Sequence, residues 1–161
     1  MATRPDPASA HLGFLRLRRI AVVGVSRSGA GVGVAILRRL RSAGYEAFAV
    51  NPALHELDGC PCYPSVQAIP GGVEGVVLAT APAAAPAIAR DCAAAGVRAV
   101  WMHRSLGRGS YSPEAAEICG RAGIQVVGGG CPMMFCGPVD PAHRCVRWLL
   151  GLTGGLGTPK A

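Results

Sequence analysis

The chain holds a single lysine, Lys160, in 161 residues, and only 5% of it is aromatic. Its cations are almost all arginine, scattered rather than clustered, and no basic run is interleaved with aromatic rings. A nucleic-acid binder of the usual kind, with a basic stripe and stacking platforms, is therefore excluded. Charged residues make up just 16% of the chain against 50% hydrophobic ones, which excludes a disordered chain. No apolar run approaches the ~20 residues of a membrane-spanning helix. The run at 20–25, behind Arg16, Arg18 and Arg19, is also shorter than the roughly 7–15-residue core of a secretory signal. A cytoplasmic location is expected, with no membrane partner. Zinc-type spacing is lacking too. Cys60 and Cys62 are separated by one residue and Cys131 and Cys136 by four, so neither pair is C-x-x-C. Seven cysteines, an odd number, read as reduced thiols rather than a disulfide framework, and no metal is assigned.

What is there is a net charge of +7, 23 glycines and a regular alternation of apolar patterns. Arginine suits planar phosphate and carboxylate contacts. The same bias follows from coding-sequence base composition, which is the reading adopted. Residues 1–10 and 152–161 read as flexible ends around one domain, 11–151. A short helix is expected over 11–18. The continuous apolar run 20–25 reads as a buried parallel strand. Residues 32–43 carry Val34, Ile36, Leu37 and Leu40 between arginines, a helix with one apolar face ended by Gly44. Strands follow at 46–50, 73–79, 98–102 and 124–127, with a short edge strand at 62–66. Helices are expected at 83–95 and 113–122, the latter capped by Ser112 with Pro113 in its first turn. A closing helix at 141–150 is expected to bury Val146, Trp148, Leu149 and Leu150. This alternation predicts an α/β fold, a doubly wound parallel sheet of Rossmann type with strand order 3-2-1-4-5-6.

In such a sheet ligands bind beyond the carboxyl ends of the strands, where the strand order reverses. That places the site at the loop GVSRSGAGVG, residues 24–33, between the first strand and the next helix. Bare backbone N–H groups and the helix dipole there suit a phosphate. Ser26 and Ser28 offer hydroxyls and Arg27 a guanidinium. The dinucleotide fingerprint G-x-G-x-x-G is only approximated, with serine in its middle position, and the second strand ends in Asn51-Pro52 with no acid before Glu56. A 3′-phosphorylated adenosine would be repelled by an acid at that place, so its absence suits such a nucleotide.

The series IAVVGVS, GYEAFAVNP, Gly59 with Tyr63 to Ser65, AIP and AVW resembles the CoA-binding domain family from about residue 20 to 131. These are Rossmann domains similar to the N-terminal domain of the succinyl-CoA synthetase α subunit. The resemblance implies a chain that binds coenzyme A or acyl-CoA through Gly24, Ser26, Arg27, Ser28 and Gly31 at the phosphates. It also implies Asn51 and Pro52 near the adenosine ribose, and Thr80, Ala81 and Pro82 facing the adenine or pantetheine. The chain departs from many relatives at WMHRSLGRGS, residues 101–110, and at GGGCPMMF, residues 128–135. After Cys136 only one helix and a glycine-rich tail are expected, so the synthetases' phosphohistidine chemistry is not carried over.

His103 and Arg104 follow a strand, where functional groups converge, and Cys131 ends the last strand. A Cys–His nucleophile pair needs an orienting third group, and none is identifiable. His103 and Arg104 are read as pocket-lining residues, and no catalytic residue is assigned. Two other classes stay open. One is an NAD(P)-linked oxidoreductase, which would bind a nicotinamide. The other is an interaction subunit with a vestigial pocket, which would bind neither nucleotide. A homo-oligomer or a protein partner is compatible with each.

Overall fold

A computed structural model describes residues 7–104, 109–153 and 156. Seven strands form one sheet: β1 (Arg19–Val23), β2 (Glu46–Val50), β3 (Glu56–Leu57), β4 (Cys60–Tyr63), β5 (Gly75–Leu78), β6 (Ala99–Met102) and β7 (Gln125–Gly128). Their spatial order is β3-β4-β2-β1-β5-β6-β7. All neighbours run parallel except the β3–β4 pair. The α/β doubly wound class is as expected. The order differs from 3-2-1-4-5-6 by one additional strand, β3, at the edge. Leu57 and Cys60 pair across an Asp58-Gly59 turn, with Asp58 at φ 54° and Gly59 at φ 72°. Asp-Gly tolerates this left-handed geometry, which matches the twist of a hairpin.

Among the described residues five α-helices cover the sheet: α1 (Pro7–Phe14), α2 (Val32–Ser42), α3 (Ala85–Ala94), α4 (Pro113–Arg121) and α5 (Pro141–Thr153). Alternate side chains of each strand face opposite layers. Ile20, Val22, Val77 and Trp101 pack with Phe14 of α1 and with Val34, Ile36, Leu37 and Leu40 of α2. Ala21, Val76, Leu78, Val100 and Met102 pack with Ala85, Ala89 and Cys92 of α3 and with Ala115 and Cys119 of α4. Ser112 caps α4 as expected, its Oγ accepting from the Ala115 N–H at 3.2 Å. Trp101 is fully buried. Its indole N–H is shared between the carbonyls of Gly129 and Gly130 at 3.1 and 3.2 Å, and His11 Nε2 donates to the same Gly129 carbonyl at 3.0 Å.

Three expectations are corrected. The first helix begins at Pro7 and ends at Phe14 rather than spanning 11–18, so residues 7–10 are helical, while 1–6 lie outside the described residues. The helix expected from residue 83 opens as a 3-10 turn, Pro82–Ala84, before α3 starts at Ala85. In α5, Val146 and Leu150 touch the core, but Trp148 is 66% exposed and Leu149 46%. The helix carries two apolar stripes, and periodicity alone does not say which one faces inward. It also continues to Thr153, and beyond it only Leu156 is described. Among the described residues no helix is long and apolar enough to cross a membrane.

Candidate functional site

β2, β1 and β5 end side by side, and their last hydrogen bonds draw Gly24, Asn51 and Thr80 together. The Gly24 N–H donates to the Val50 carbonyl at 3.3 Å and the Ala79 N–H to the Val23 carbonyl at 2.8 Å. Asn51 fastens this edge. Its Nδ2 donates to the Val25 carbonyl at 2.7 Å, and its Oδ1 accepts from the Ala53 N–H at 2.8 Å.

Gly24 has φ 104°, and a Cβ there would lie 2.5 Å from the Ala79 carbonyl oxygen. A Cβ on Gly33 would lie 2.6 Å from the Gly24 carbonyl oxygen. Both glycines therefore permit a close three-way approach of β1, β5 and the start of α2. Gly31 serves a different need. It is the N-cap of α2 at φ 98°, makes no side-chain cap bond, and has open space where a Cβ would stand. The first N–H groups of α2 lack intrahelical acceptors, so they face this opening with a partial positive charge. Between the glycines, Ser26 Oγ accepts from the Ser28 N–H at 3.2 Å and lies 2.8 Å from Ser28 Oγ, which holds the loop in a compact turn. Arg27 is exposed and makes no ion pair among the described residues.

A cleft of about 470 Å³ opens beside this loop. Gly24, Asn51, Pro52 and Thr80 line it on the strand side, and α3 contributes Ala87, Ile88 and Asp91. Thr80 Oγ1 is shielded from solvent and has no hydrogen-bond partner among the described residues. The Asp91 carboxylate is already used: it accepts from the Val66 N–H at 2.9 Å and from Gln67 Nε2. No carboxylate stands at the end of β2, since Glu56 belongs to β3. A second hollow, about 550 Å³, lies away from these strand ends between α1, the end of α2 and residues 135–138. Its Arg39 is spent on the carbonyls of Cys136 and Pro138. Volume alone would favour that hollow, but the convergence of strand ends and free N–H groups favours the smaller one.

The sequence-derived residues fall into three groups. Gly24, Asn51, Pro52 and Thr80 line the cleft. Ser26, Arg27, Ser28 and Gly31 form the adjoining loop and helix start. Ala81 and Pro82 lead from Thr80 into the 3-10 turn, and neither they nor His103 and Arg104 line the cleft. His103 follows β6, its N–H donating to the Leu78 carbonyl at 3.0 Å, and Arg104 bridges to the Gly130 carbonyl at 3.0 Å. His103 Nε2 is buried without a partner among the described residues, and burial lowers the imidazole pKa. Burial also pushes the Cys131 thiol up to about 11, away from the range of an activated nucleophile.

Sequence reasoning missed the role of Gly33 in helix packing, and it missed Ala84, Ala87, Ile88 and Asp91 as one wall of the cleft. Their i, i+3, i+4, i+7 spacing marks one helical face. It also missed Pro64 and Ser65, which complete the wall after β4.

The family model for the CoA binding domain matches residues 18–136. The chain is 30% identical over 118 residues to the ADP-forming acetate–CoA ligase I of Archaeoglobus fulgidus, a match that covers 70% of this chain and 17% of the ligase. It likewise spans 17% of the Methanocaldococcus jannaschii ADP-forming acetate–CoA ligase, at 24% identity. A hypothetical protein from Pyrococcus horikoshii OT3 superposes with TM-score 0.72 at 28% identity, over 83% of this chain and 94% of that one. The apo acetyl-coenzyme A synthetase 1 of Ca. Korarchaeum cryptofilum superposes with TM-score 0.59 at 29% identity, over 68% of this chain and 25% of the synthetase. With its doubly wound sheet, its glycine-built strand–helix junction and a family match across most of its length, the chain belongs to the CoA binding domain family.

Proposed function

We propose that this chain is a non-catalytic module that binds coenzyme A or an acyl-CoA, with the pyrophosphate on the 24–31 loop and the adenosine in the adjoining cleft. The observation that carries this reading is the junction of Gly24, Gly31 and Gly33. Two of these glycines bring α2 close to the strand ends, and the third leaves the helix N–H groups uncovered. The residues present fit the group. The cleft has apolar walls, the Thr80 hydroxyl is unpaired, and Asp91 is committed to the backbone of the 66–68 turn. The end of β2 offers no carboxylate to repel a 3′-phosphate. All seven cysteines are free thiols, which suits a reducing cytoplasm.

Bound coenzyme A would supply the thiol that carries an acyl group. This chain's part is to hold and orient the nucleotide end. Ser26, Arg27 and the α2 N–H groups bind the phosphates, and Asn51 keeps the rim of the cleft in place. Isothermal titration of the reduced protein with coenzyme A, 3′-dephospho-CoA and NAD⁺ tests the reading. Coenzyme A should bind at micromolar level or better, 3′-dephospho-CoA more weakly and NAD⁺ not at all. Ser26→Ala combined with Arg27→Ala should abolish binding. Binding of NAD⁺ alone would move the chain to the nicotinamide-linked class, and silence from all three would favour an interaction subunit.

A further inference from the structure

The cleft beside the glycine loop carries a single charge. Its other lining residues are uncharged, and no arginine, lysine or histidine stands among them. The charge is Asp91, which pairs with no cation among the described residues. Its neighbour in sequence, Arg90, is turned to Glu114 on α4. At 1.5 Å per residue Asp91 stands about 9 Å along α3 from Ala85. It therefore lies at the end of the cleft away from Thr80 and the glycine loop.

The carboxylate is held in place. One oxygen accepts from the Val66 N–H at 2.9 Å and the other from Gln67 Nε2. These bonds take one lone pair from each oxygen, and a carboxylate oxygen has two to offer. Each oxygen keeps an acceptor site, fixed by α3 on one side and the 66–68 turn on the other. An ionised carboxylate has no donor of its own, so a ligand group that meets it must donate.

The two ends of the cleft differ in sign. The first N–H groups of α2 bring partial positive charge to one end, and Asp91 brings negative charge to the other. A nucleotide bound between them is oriented by that difference, with its phosphates at the loop and its base towards α3. Pro64, Val66, Ala87 and Ile88 give apolar walls on the way. Adenine carries a 6-amino group, a donor, where hypoxanthine carries a carbonyl oxygen. That oxygen would face the carboxylate as acceptor against acceptor.

We propose that Asp91 selects the base of the coenzyme by accepting a hydrogen bond from the 6-amino group of adenine. The inference rests on the reading of this cleft as the adenosine site. Loss of one hydrogen bond to a charged acceptor weakens binding at least about tenfold.

Isothermal titration with coenzyme A and with its desamino form, in which hypoxanthine replaces adenine, reads the selection. The wild type should bind coenzyme A at least about tenfold more tightly than the desamino form. In Asp91→Asn the amide oxygen can still accept from the Val66 N–H. Its NH₂ carries two hydrogens, one for the Gln67 amide oxygen and one for the base. The preference for coenzyme A should then vanish or reverse. Two ligands are compared on one protein, so a loss of stability, followed by the melting temperature, weakens both and leaves their ratio unchanged. Equal binding of the two forms by the wild type overturns the proposal, as does an Asp91→Asn protein that keeps the full preference. Either result leaves coenzyme A binding itself standing. Binding of neither form removes that reading and this one with it.

Discussion

The carbonyl oxygen of Gly24 stands 2.6 Å from where a side chain on Gly33 would begin. The turn leaving β1 and the first turn of α2 are in direct backbone contact, and this contact sets the height of the helix above the strand ends. Gly33→Ala must push the two backbones apart, and overpacking of this kind costs about 1–3 kcal/mol. We expect a lower denaturation midpoint and at least tenfold weaker coenzyme A binding. Gly31→Ala meets no atom but keeps φ 98°, so its loss comes from backbone strain, of order 1–3 kcal/mol. A Gly33→Ala protein as stable as wild type would refute the close contact.

Thr80→Val should separate stability from binding. The hydroxyl is buried without a partner, so removing it leaves the free protein unchanged or up to about 1 kcal/mol more stable. If the ligand takes up that hydroxyl, affinity for coenzyme A falls by roughly 0.5–1.5 kcal/mol. Chemical denaturation and calorimetric titration of the same variant measure the two effects. A loss of stability without a loss of affinity would contradict the expectation.

Burial holds the His103 imidazole below its ordinary pKa, so the folded chain keeps it neutral where the unfolded chain binds a proton, near pH 6.5. Stability is complete above that pH and falls as the pH drops below it, because the unfolded state then holds more protons. The fall levels off below the native pKa. Denaturation at pH 7.5 and 5.5 should show a smaller drop for His103→Gln than for the wild type. Asp58, Glu74 and Asp140, held below their usual values by Arg38, by the Arg18 and Arg19 N–H groups and by His143, act in a separate window, below about pH 4.5. Equal drops in the two proteins would show that His103 is not the titrating group.

The thiols should separate by environment. Cys145 is exposed, whereas Cys131 is buried and its thiol is pushed up to about 11. At pH 8 about one Cys131 in a thousand is thiolate, the reactive form. Iodoacetamide under native conditions should mark Cys145 first and reach Cys131 only on unfolding, as read by peptide mass spectrometry. Comparable rates would return Cys131 to consideration as a nucleophile.

Much of this was legible in the residues. Each continuous apolar run became a buried strand, because a sheet covered on both faces needs no polar alternation. Gly24 and the loop behind it announced the strand–helix junction. The antiparallel β3 was not foreseen, although Asp58-Gly59 is a strong hairpin signal. Two-residue strands carry too little periodicity to read. The α3 wall of the cleft was missed because Ala84, Ala87 and Ile88 look like ordinary core residues until the opposite wall is known. Trp148 was assigned to the core because an apolar side chain looks buried in a linear sequence, and only the placement of Val146 and Leu150 decides otherwise.

The small hairpin at the margin of the sheet has a further effect. A long free strand edge is a template on which another chain can add by backbone pairing. Here the outermost strand is two residues long, and its neighbour carries Pro61, which has no N–H to offer. Arg38 clasps Asp58 through two 2.8 Å hydrogen bonds and anchors the hairpin to α2. At the far margin β7 gives way at once to Gly129 and Gly130, at φ 100° and 72°, which break the extended path. Among the described residues neither border strand, of two and four residues, reaches the roughly six or seven residues of a segment that stacks as cross-β, which guards both ends of the sheet against amyloid-type growth.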